Sequence, residues 1–576
     1  MSLVRKKSIE SILKNQSREE HQGLLKHLGV RDLTAFGIAA IIGAGIFSTV
    51  GKASADGGPG VIFLFLFTAL ACSFAAFAYA EFASLIPVSG SAYTYSYVAF
   101  GEIFAWIIGW ALIMEYAIGN VTVAISWSDY FTALLRHTSP VQLPEWLCMD
   151  FFTAKSAFIT TLELQKKGVD FITITNDPSN AALLEGFRAF QQAPVLFGQN
   201  LIFDLPALMI NVLITWLVYR GIRESRNASN IMVLIKIAVV ILVIFVGAFY
   251  VDTEKWNPFL PNGLKGLLSG ISAVFFAYIG FDAISTTAEE CRNPQRDLPR
   301  GILYSIVICT ILYVAIALVI TGMVNYQELD VGDPLAYVFS KISDLKWLSG
   351  IVAVSAVVAM ASVMLVFQLG QPRIWMSMSR DGLLPPAFAR IHKTYKTPSF
   401  STLFTGLMVA IPIFFLDINV VTDICSAGTL FAFTLVCAGV LKLRMDKTAP
   451  PSKFKTPYLD SQYILPGLLL LTFILLYVFL PEYLYGLMVP GSFMSFLVQV
   501  PMYVFFAGFT ILSYLAFRYH FSLIPSLGLL CCFYMLSQLG YKNWLYFFAW
   551  LLLGLVIYFV YGRKHSKLAH QKPQGV

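Results

Sequence analysis

Ile41-Ile42-Gly43-Ala44-Gly45-Ile46-Phe47 lies in the middle of the first long apolar segment of the chain. A run that hydrophobic should form a membrane-spanning helix, yet it puts two glycines, one residue apart, where the middle of a bilayer would fall. Glycine is a poor helix former, and its missing Cβ opens the backbone amides to a close approach. Phe276-Ala277-Tyr278-Ile279-Gly280-Phe281-Asp282 repeats the pattern: an apolar helix, a central glycine and a polar group that apolar surroundings penalise. Two interrupted helices at corresponding places in two halves of a membrane protein point to a transporter binding site.

The composition fits that setting. Of 576 residues, 57% are hydrophobic and only 13% charged, with 48 Phe and 27 Tyr, which excludes an ordinary soluble protein. Apolar segments of about 20 residues, each long enough to cross a ~30 Å hydrocarbon core, recur along the chain. They fall near 32–51, 60–83, 103–135, 204–221, 230–251, 266–288, 301–323, 347–369, 399–416, 420–441, 464–481, 498–517, 522–538 and 544–561, fourteen spans in all. The first 31 residues are polar and basic and lack the apolar core of a cleavable signal peptide, so they are expected to stay in the cytoplasm. Lys and Arg then follow loop parity as the positive-inside rule requires: Arg220, Arg223 and Arg226, then Arg292, Arg296 and Arg300, then Arg373 to Lys396, then Lys442 to Lys455. The tail Arg563-Lys564-His565-Ser566-Lys567 also lands inside, as an even number of spans demands. The net charge of +7 thus reflects topology and gives no support to nucleic-acid binding. The location expected is the cell membrane, multi-pass, with both termini cytoplasmic.

Parity and composition divide the chain into a cytoplasmic segment 1–31, a ten-helix core 32–442, a cytoplasmic linker 443–463, four peripheral transmembrane helices in 464–562 and a cytoplasmic tail 563–576. Within the core, 136–203 is an extracytoplasmic insertion with two expected elements, 154–167 and 181–192, and a turn at Asn176-Asp177-Pro178. It reads either as a cap or partner site or as a tolerated surface insertion. Spans one to five and six to ten align as halves of opposite orientation, and such inverted repeats place a site at their interface. The expected fold is therefore an all-α polytopic membrane protein with a 5+5 inverted-repeat transporter core. Most of the eight cysteines lie in or beside spans, no metal-ligand spacing or nucleophile motif occurs, and the seven histidines lie outside the deep core. Neither a cofactor, a metal nor an enzymatic activity is expected. A channel would need a continuous polar stripe or a ring of filter residues, and none stands out.

Several motifs in order resemble the amino acid–polyamine–organocation transporters, and within them the cationic amino acid transporter branch with its bacterial relatives. They are Gly43-Ala44-Gly45-Ile46-Phe47, Glu81-Phe82-Ala83-Ser84-Leu85-Ile86-Pro87 with Gly90-Ser91-Ala92-Tyr93, Phe276 to Asp282, Glu290-Cys291-Arg292-Asn293-Pro294 with Leu298-Pro299-Arg300-Gly301-Ile302, and Met378 to Pro385. The resemblance covers spans one to ten and implies a LeuT-like core. It also implies a secondary transporter working by alternating access on a free amino acid. An exchanger or a non-transporting amino acid sensor of the same fold remains an alternative.

The resemblance assigns the site. Amides around Ile42, Gly43, Ala44 and Gly45, at the positive end of the outer half-helix, would hold a substrate carboxylate. Carbonyls of Phe276, Ala277 and Ile279 would accept from its ammonium, and Phe281 would close over it as a gate. The alternative for the glycines is tight helix packing. Glu115, well inside span three, costs ~2.5–3.5 kcal/mol to insert and should face a cavity or a partner; it reads as a proton-responsive, substrate-sensing acid or as a polar packing contact. Lys236 lies about 9 Å along span five from Asn230 at 1.5 Å per residue, where it could snorkel. The resemblance gives it instead the place of a sodium ion in related carriers, bracing span one against spans five and eight and coupling transport to protons. Asp282 is expected to cap the inner half-helix, and Glu289-Glu290 to pair with Arg292 or Arg296 as gate or structural charges. Arg380 and Asp381 are expected as scaffold or gate residues. Which amino acid is carried is left open, because backbone contacts recognise only the groups that all amino acids share.

Overall fold

The computed structural model describes residues 5–9, 12, 28–88, 90–138, 143–167, 170–176, 180–196, 198–416, 418–446, 452–489 and 491–570. The turn expected at Asn176-Asp177-Pro178 lies largely outside them. The first span is interrupted: α1, Val30–Ile41, stops short, and the chain resumes in a wide helical turn, Gly45–Thr49, that continues into α2, Val50–Gly57. Then come α3, Val61–Leu85, α4, Ser91–Ala99, and the 37-residue α5, Glu102–Thr138. The insertion holds α6, Phe151–Lys166, α7, Phe171–Asn176, and α8, Ala181–Gln192. It ends in a two-stranded antiparallel hairpin, β1 Val195–Leu196 with β2 Gln199–Asn200. The hairpin and α7 carry no strong periodic signal and were not expected from sequence.

The chain returns through α9, Leu205–Arg220, and α10, Ile222–Ala248. A second interrupted span follows: α11, Gly263–Ser269, and α12, Ile271–Phe276, lead into a turn at 277–280 and a tightened helix, Phe281–Glu290. Next are α13, Pro294–Met323, α14, Pro334–Lys341, α15, Lys346–Arg380, α16, Ser399–Ile413, and α17, Ile418–Met445. The last part is α18, Ile464–Phe479, α19, Pro481–Met488, α20, Phe493–Tyr519, α21, Leu523–Gln538, and α22, Tyr541–Ile557.

Among the described residues, nine helices are long and apolar enough to cross a membrane, and α18 with α19, bent by 109°, forms a tenth candidate. Burial sorts them. The apolar window of α5 is 89% buried and that of Ile271–Glu290 is 94% buried, whereas those of α20 and α22 are only 22% buried. A helix that is hydrophobic all round must be covered all round. The centre is therefore α5 and the second broken span, packed by α1, α3, α13, α15 and α17. The outer helices turn apolar faces such as Phe245, Ile311 and Leu552 outward, as a lipid-facing surface requires. The linker segment is fixed: Arg444 donates twice to Glu81, at 2.9 and 2.6 Å, and the Thr456 amide donates to the same carboxylate at 2.9 Å.

Candidate functional site

The two interruptions meet. At Ile42 the backbone turns extended (φ −77°, ψ 101°) while its N–H still donates to the Ile38 carbonyl at 3.0 Å. Helical bonding restarts when the Ile46 and Phe47 amides donate to the Gly43 carbonyl, each at 3.1 Å. The amides of 43–45 precede that first bond, and the opening of a helix presents such amides together with the positive end of its dipole. In the second span the Tyr278 and Ile279 amides donate back to Phe275 and Phe276 at 2.9 and 3.2 Å, and the chain is then thrown round at Gly280 (φ +117°). Glycine takes that conformation freely because it has no Cβ.

Each break seats a glycine on an alanine of the other. A Cβ on Gly45 would stand 2.3 Å from the Ala277 Cα, and one on Gly280 would stand 2.8 Å from the Ala40 Cβ. A Cβ on Gly43 would stand 2.4 Å from a Val363 methyl of α15. Thr49 Oγ1 donates to the Ala273 carbonyl at 3.2 Å. The Tyr313 hydroxyl, from the middle of α13, lies 2.8 Å from the Ile41 carbonyl and 2.9 Å from that of Ala277. Sequence reading passed over Tyr313, although a hydroxyl in so apolar a helix has to find an acceptor. Of the carbonyls expected to face an ammonium, that of Ala277 thus meets Tyr313, and that of Phe276 accepts from Ile279. A carbonyl has two lone pairs, so each keeps a second position.

Lys236 is fully buried and does not snorkel. Its Nζ donates to the carbonyls of Ala39 at 2.9 Å and Ile42 at 2.8 Å and to Ser362 Oγ at 3.0 Å, which uses all three ammonium donors. The last carbonyls of a helix have no partners within it and form its negative end. The ammonium of α10 therefore caps the cut end of α1 and links it to α15.

Glu115 and Asp282 face the same interior from α5 and from the segment after the second break. Both are fully buried, and Asp282 is the acidic neighbour of Glu115. Tyr116 Oη donates to Asp282 at 3.0 Å. Neither Glu115 oxygen has a well-formed hydrogen bond, although the Thr429 hydroxyl, which donates to the Cys425 carbonyl at 3.0 Å, lies beside it. Amides of Gly280, Asp282 and Ala283 lie near the Asp282 carboxylate, at the start of the segment it was expected to cap. Phe281 packs its ring against Tyr79 at 5.8 Å and Phe433 at 4.8 Å, joining α3 to α17 over the break.

Glu290 pairs with Arg373 of α15 at 2.6 Å, where sequence reading expected Arg292 or Arg296. The tight winding of Phe281–Glu290 turns Glu290 inward, whereas Arg292 and Arg296 are exposed. Leu28 bridges the same corner: its amide donates to the Glu290 carbonyl and its carbonyl accepts from Arg292 N–H, both at 3.0 Å. Asp381 accepts from Tyr93 Oη at 2.6 Å and pairs with Lys7.

The fold and the site define a class, a polytopic helical membrane protein built round two crossed, interrupted helices. An amino acid permease model matches residues 28–512, and a second, describing the C-terminus of such permeases, matches 522–566. The chain belongs to the amino acid permease family, within the superfamily that its motifs resemble, and so among transporters and not enzymes. It is similar to the branched-chain amino acid permease BcaP of Bacillus subtilis, with 36% identity over 98% of this chain and 99% of that protein. The methylthioribose transporter of the same organism is 34% identical over the same shares of the two chains. The vacuolar cationic amino acid transporter 2 of Arabidopsis thaliana is 32% identical over 99% of this chain and 94% of its own.

Proposed function

We propose that the chain is a secondary active transporter of free amino acids, working by alternating access and driven by protons, in a cell membrane with both termini cytoplasmic. The observation that carries this reading is the crossing itself. Helix-opening amides at 43–45 and turn carbonyls at 276–279 are brought together inside the protein, a pairing of donors and acceptors that suits the two charges of a zwitterion. The amides supply a carboxylate site, and the free lone pairs at Phe276, Ala277 and Ile279 supply an ammonium site. Lys236 holds the place and the contacts that a bound cation would need at the cut end of α1, which supports coupling through a side-chain ammonium without sodium. Family membership agrees with an amino acid as cargo, and the relatives are named for branched-chain amino acids, cationic amino acids and, in one case, methylthioribose.

Fourteen spans in a 5+5 core with four added helices is the topology that suits this mechanism. Splitting Gly45–Leu85 at the Gly58–Gly60 turn, joining α1 to α2, and counting the bent pair and the shorter apolar helices α9, α16 and α21 as spans yields that number. An even count also brings both ends of the chain to one face, where Lys7 and Lys567 both meet Asp381. Uptake into proteoliposomes of a panel of labelled amino acids, with and without an imposed pH gradient, tests the proposal. Gradient-driven accumulation of at least one amino acid in sodium-free buffer is expected. Uptake that needs sodium and ignores pH, or no uptake despite binding, would refute it.

A further inference from the structure

Glu102, in the first turn of α5, is fully buried at the face where the two chain ends arrive, and its partners come from both ends. Its Oε2 accepts from Tyr97 Oη at 3.0 Å and from Ser566 Oγ at 2.6 Å, and its Oε1 accepts from Tyr558 Oη at 3.0 Å. The Arg5 guanidinium stands 3.8 Å from Oε2, and the Glu102 amide donates to the Arg5 carbonyl at 2.8 Å. Asp381, at the end of α15, is a second such node. Its carboxylate meets Lys7 and Tyr93, and its carbonyl accepts from the Lys567 amide at 3.0 Å. Gly382 (φ +80°) leaves room for the tail, since a Cβ there would stand 2.2 Å from the His565 carbonyl oxygen.

The tail is not free to drift from these nodes. Trp106 Nε1 donates to the Gly554 carbonyl at 2.9 Å, while Trp110 and Trp550 each donate to the other's carbonyl, at 2.8 and 3.0 Å. These indole bonds fix α22 along α5, so the turn Tyr558–Gly562 and the residues after it bring Tyr558 and Ser566 to Glu102 from a held helix. Arg5 and Lys7 come from the other end of the chain, in the N-terminal residues 5–9. Hydrogen bonds to a carboxylate are roughly twice as strong as neutral ones, so the hydroxyls of the tail set where Glu102 points.

We propose that the C-terminal segment 558–567 is the fixed jaw of a clasp that closes this face. Tyr558 and Ser566 hold Glu102, and Lys567 holds Asp381, in the positions that Arg5 and Lys7 of the N-terminal segment 5–9 engage. Opening the face to solvent requires residues 5–9 to leave those two carboxylates. The strength of the tail's grip thereby sets how often the face opens. This rests on the reading that the crossing is reached alternately from two sides.

Cys291 reports the opening, because it is fully buried beside the Leu28 bridge at this face. Cys148 lies beyond the far end of α5 and serves as an internal reference. The full-length protein in lipid nanodiscs is treated with a bulky maleimide, and the rate at each cysteine is read by peptide mass spectrometry. The double variant Tyr558→Phe/Ser566→Ala is expected to raise the Cys291 rate about fivefold or more, the scale of one lost hydrogen bond, with Cys148 unchanged. The conservative Ser566→Thr should keep the original rate, and Arg5→Ala/Lys7→Ala should reproduce the rise from the other jaw. An unchanged Cys291 rate in the Tyr558→Phe/Ser566→Ala protein overturns the clasp, as does a proportional rise at both cysteines, which would mean general loosening. The labelling is read without substrate, so it is independent of the uptake assay. Clasp-dependent labelling without uptake in any panel would count against the transport reading and not against the contacts.

Discussion

Lys236 Nζ stands 2.8 Å from the carbonyl of Ile42, at the residue where α1 is cut. The same ammonium reaches Ala39 one turn earlier and Ser362 on α15, so a single charge fixes the end of a half-helix against two neighbouring spans. Any motion that shifts α1 relative to α15 has to break or rearrange these bonds. The first prediction follows from that dependence.

Lys236→Met keeps the aliphatic length and removes the charge and its donors. Two buried carbonyls and a hydroxyl lose a partner, each at a cost of ~1–3 kcal/mol when nothing replaces it. Accumulation driven by a pH gradient should disappear, while exchange of labelled for unlabelled amino acid continues at a reduced rate. Both are measured in proteoliposomes. Gradient-driven accumulation at the original level would remove Lys236 from the coupling mechanism.

The glycines at the crossing separate by what their missing side chains would strike. On Gly45 a Cβ would meet the Ala277 Cα, which is backbone, whereas on Gly43 it would meet a methyl of Val363, which is a side chain. Gly45→Ala should therefore abolish amino acid binding while the protein still reaches the membrane. Gly43→Ala should weaken binding, and Gly43→Ala/Val363→Ala should restore much of it. Binding by scintillation proximity on purified protein checks the series. Full binding by Gly45→Ala would show that the crossing yields more easily than its backbone contact implies.

Much of this crossing was legible because two glycine-bearing apolar runs recur at corresponding places in the chain. Gly43 and Gly45 in one apolar run and Gly280 in another pointed to both breaks as a pair, whereas single glycines such as Gly119 and Gly370 sit in unbroken helices and serve packing. What sequence could not give was which partner each break would find. Tyr313 was invisible for that reason: its position matters only because α13 passes both Ile41 and Ala277. Glu290 was matched to its neighbours in sequence, Arg292 and Arg296, because it follows the end of the expected span 266–288. The tighter winding of Phe281–Glu290 turned it to Arg373, more than eighty residues away. The wide turn at Gly45–Thr49 and the hairpin at 195–200 rest on contacts that no short-range pattern encodes.

Tyr313→Phe removes one hydroxyl from a packed core and leaves its ring contacts with Phe65 and Tyr278 in place. The Ile41 and Ala277 carbonyls then lose their shared donor, a loss of ~1–3 kcal/mol in stability. The thermal midpoint in detergent should fall, and added amino acid should recover part of the loss if its ammonium takes the vacated position at Ala277. A midpoint equal to that of the parent would mean the two carbonyls are satisfied without Tyr313.

The buried pair Arg373–Glu290 offers the sharpest separation of charge from position. Its N–O distance is 2.6 Å, and Arg373 Nη1 also lies 3.5 Å from the Thr286 carbonyl, so the guanidinium has one charged and one neutral acceptor. Removing one member of a buried pair leaves the other charge uncompensated and costs ~3–5 kcal/mol, far more than an exposed pair would. Glu290→Gln and Arg373→Met should each lower amino acid uptake more than about tenfold where the pair's energy bears on the transport cycle, in which 1.4 kcal/mol is a factor of ten. The reversed pair Arg373→Glu/Glu290→Arg should recover uptake if attraction between α15 and the segment after the second break is what the pair supplies. If the reversal is as poor as the single variants, the orientation itself matters. The bond to Thr286 is then the part that a glutamate at 373 cannot make, because a carboxylate has no proton to give that carbonyl. Uptake by Thr286→Ala, which keeps the backbone acceptor, should match the parent in either case and so isolates the carbonyl from its side chain.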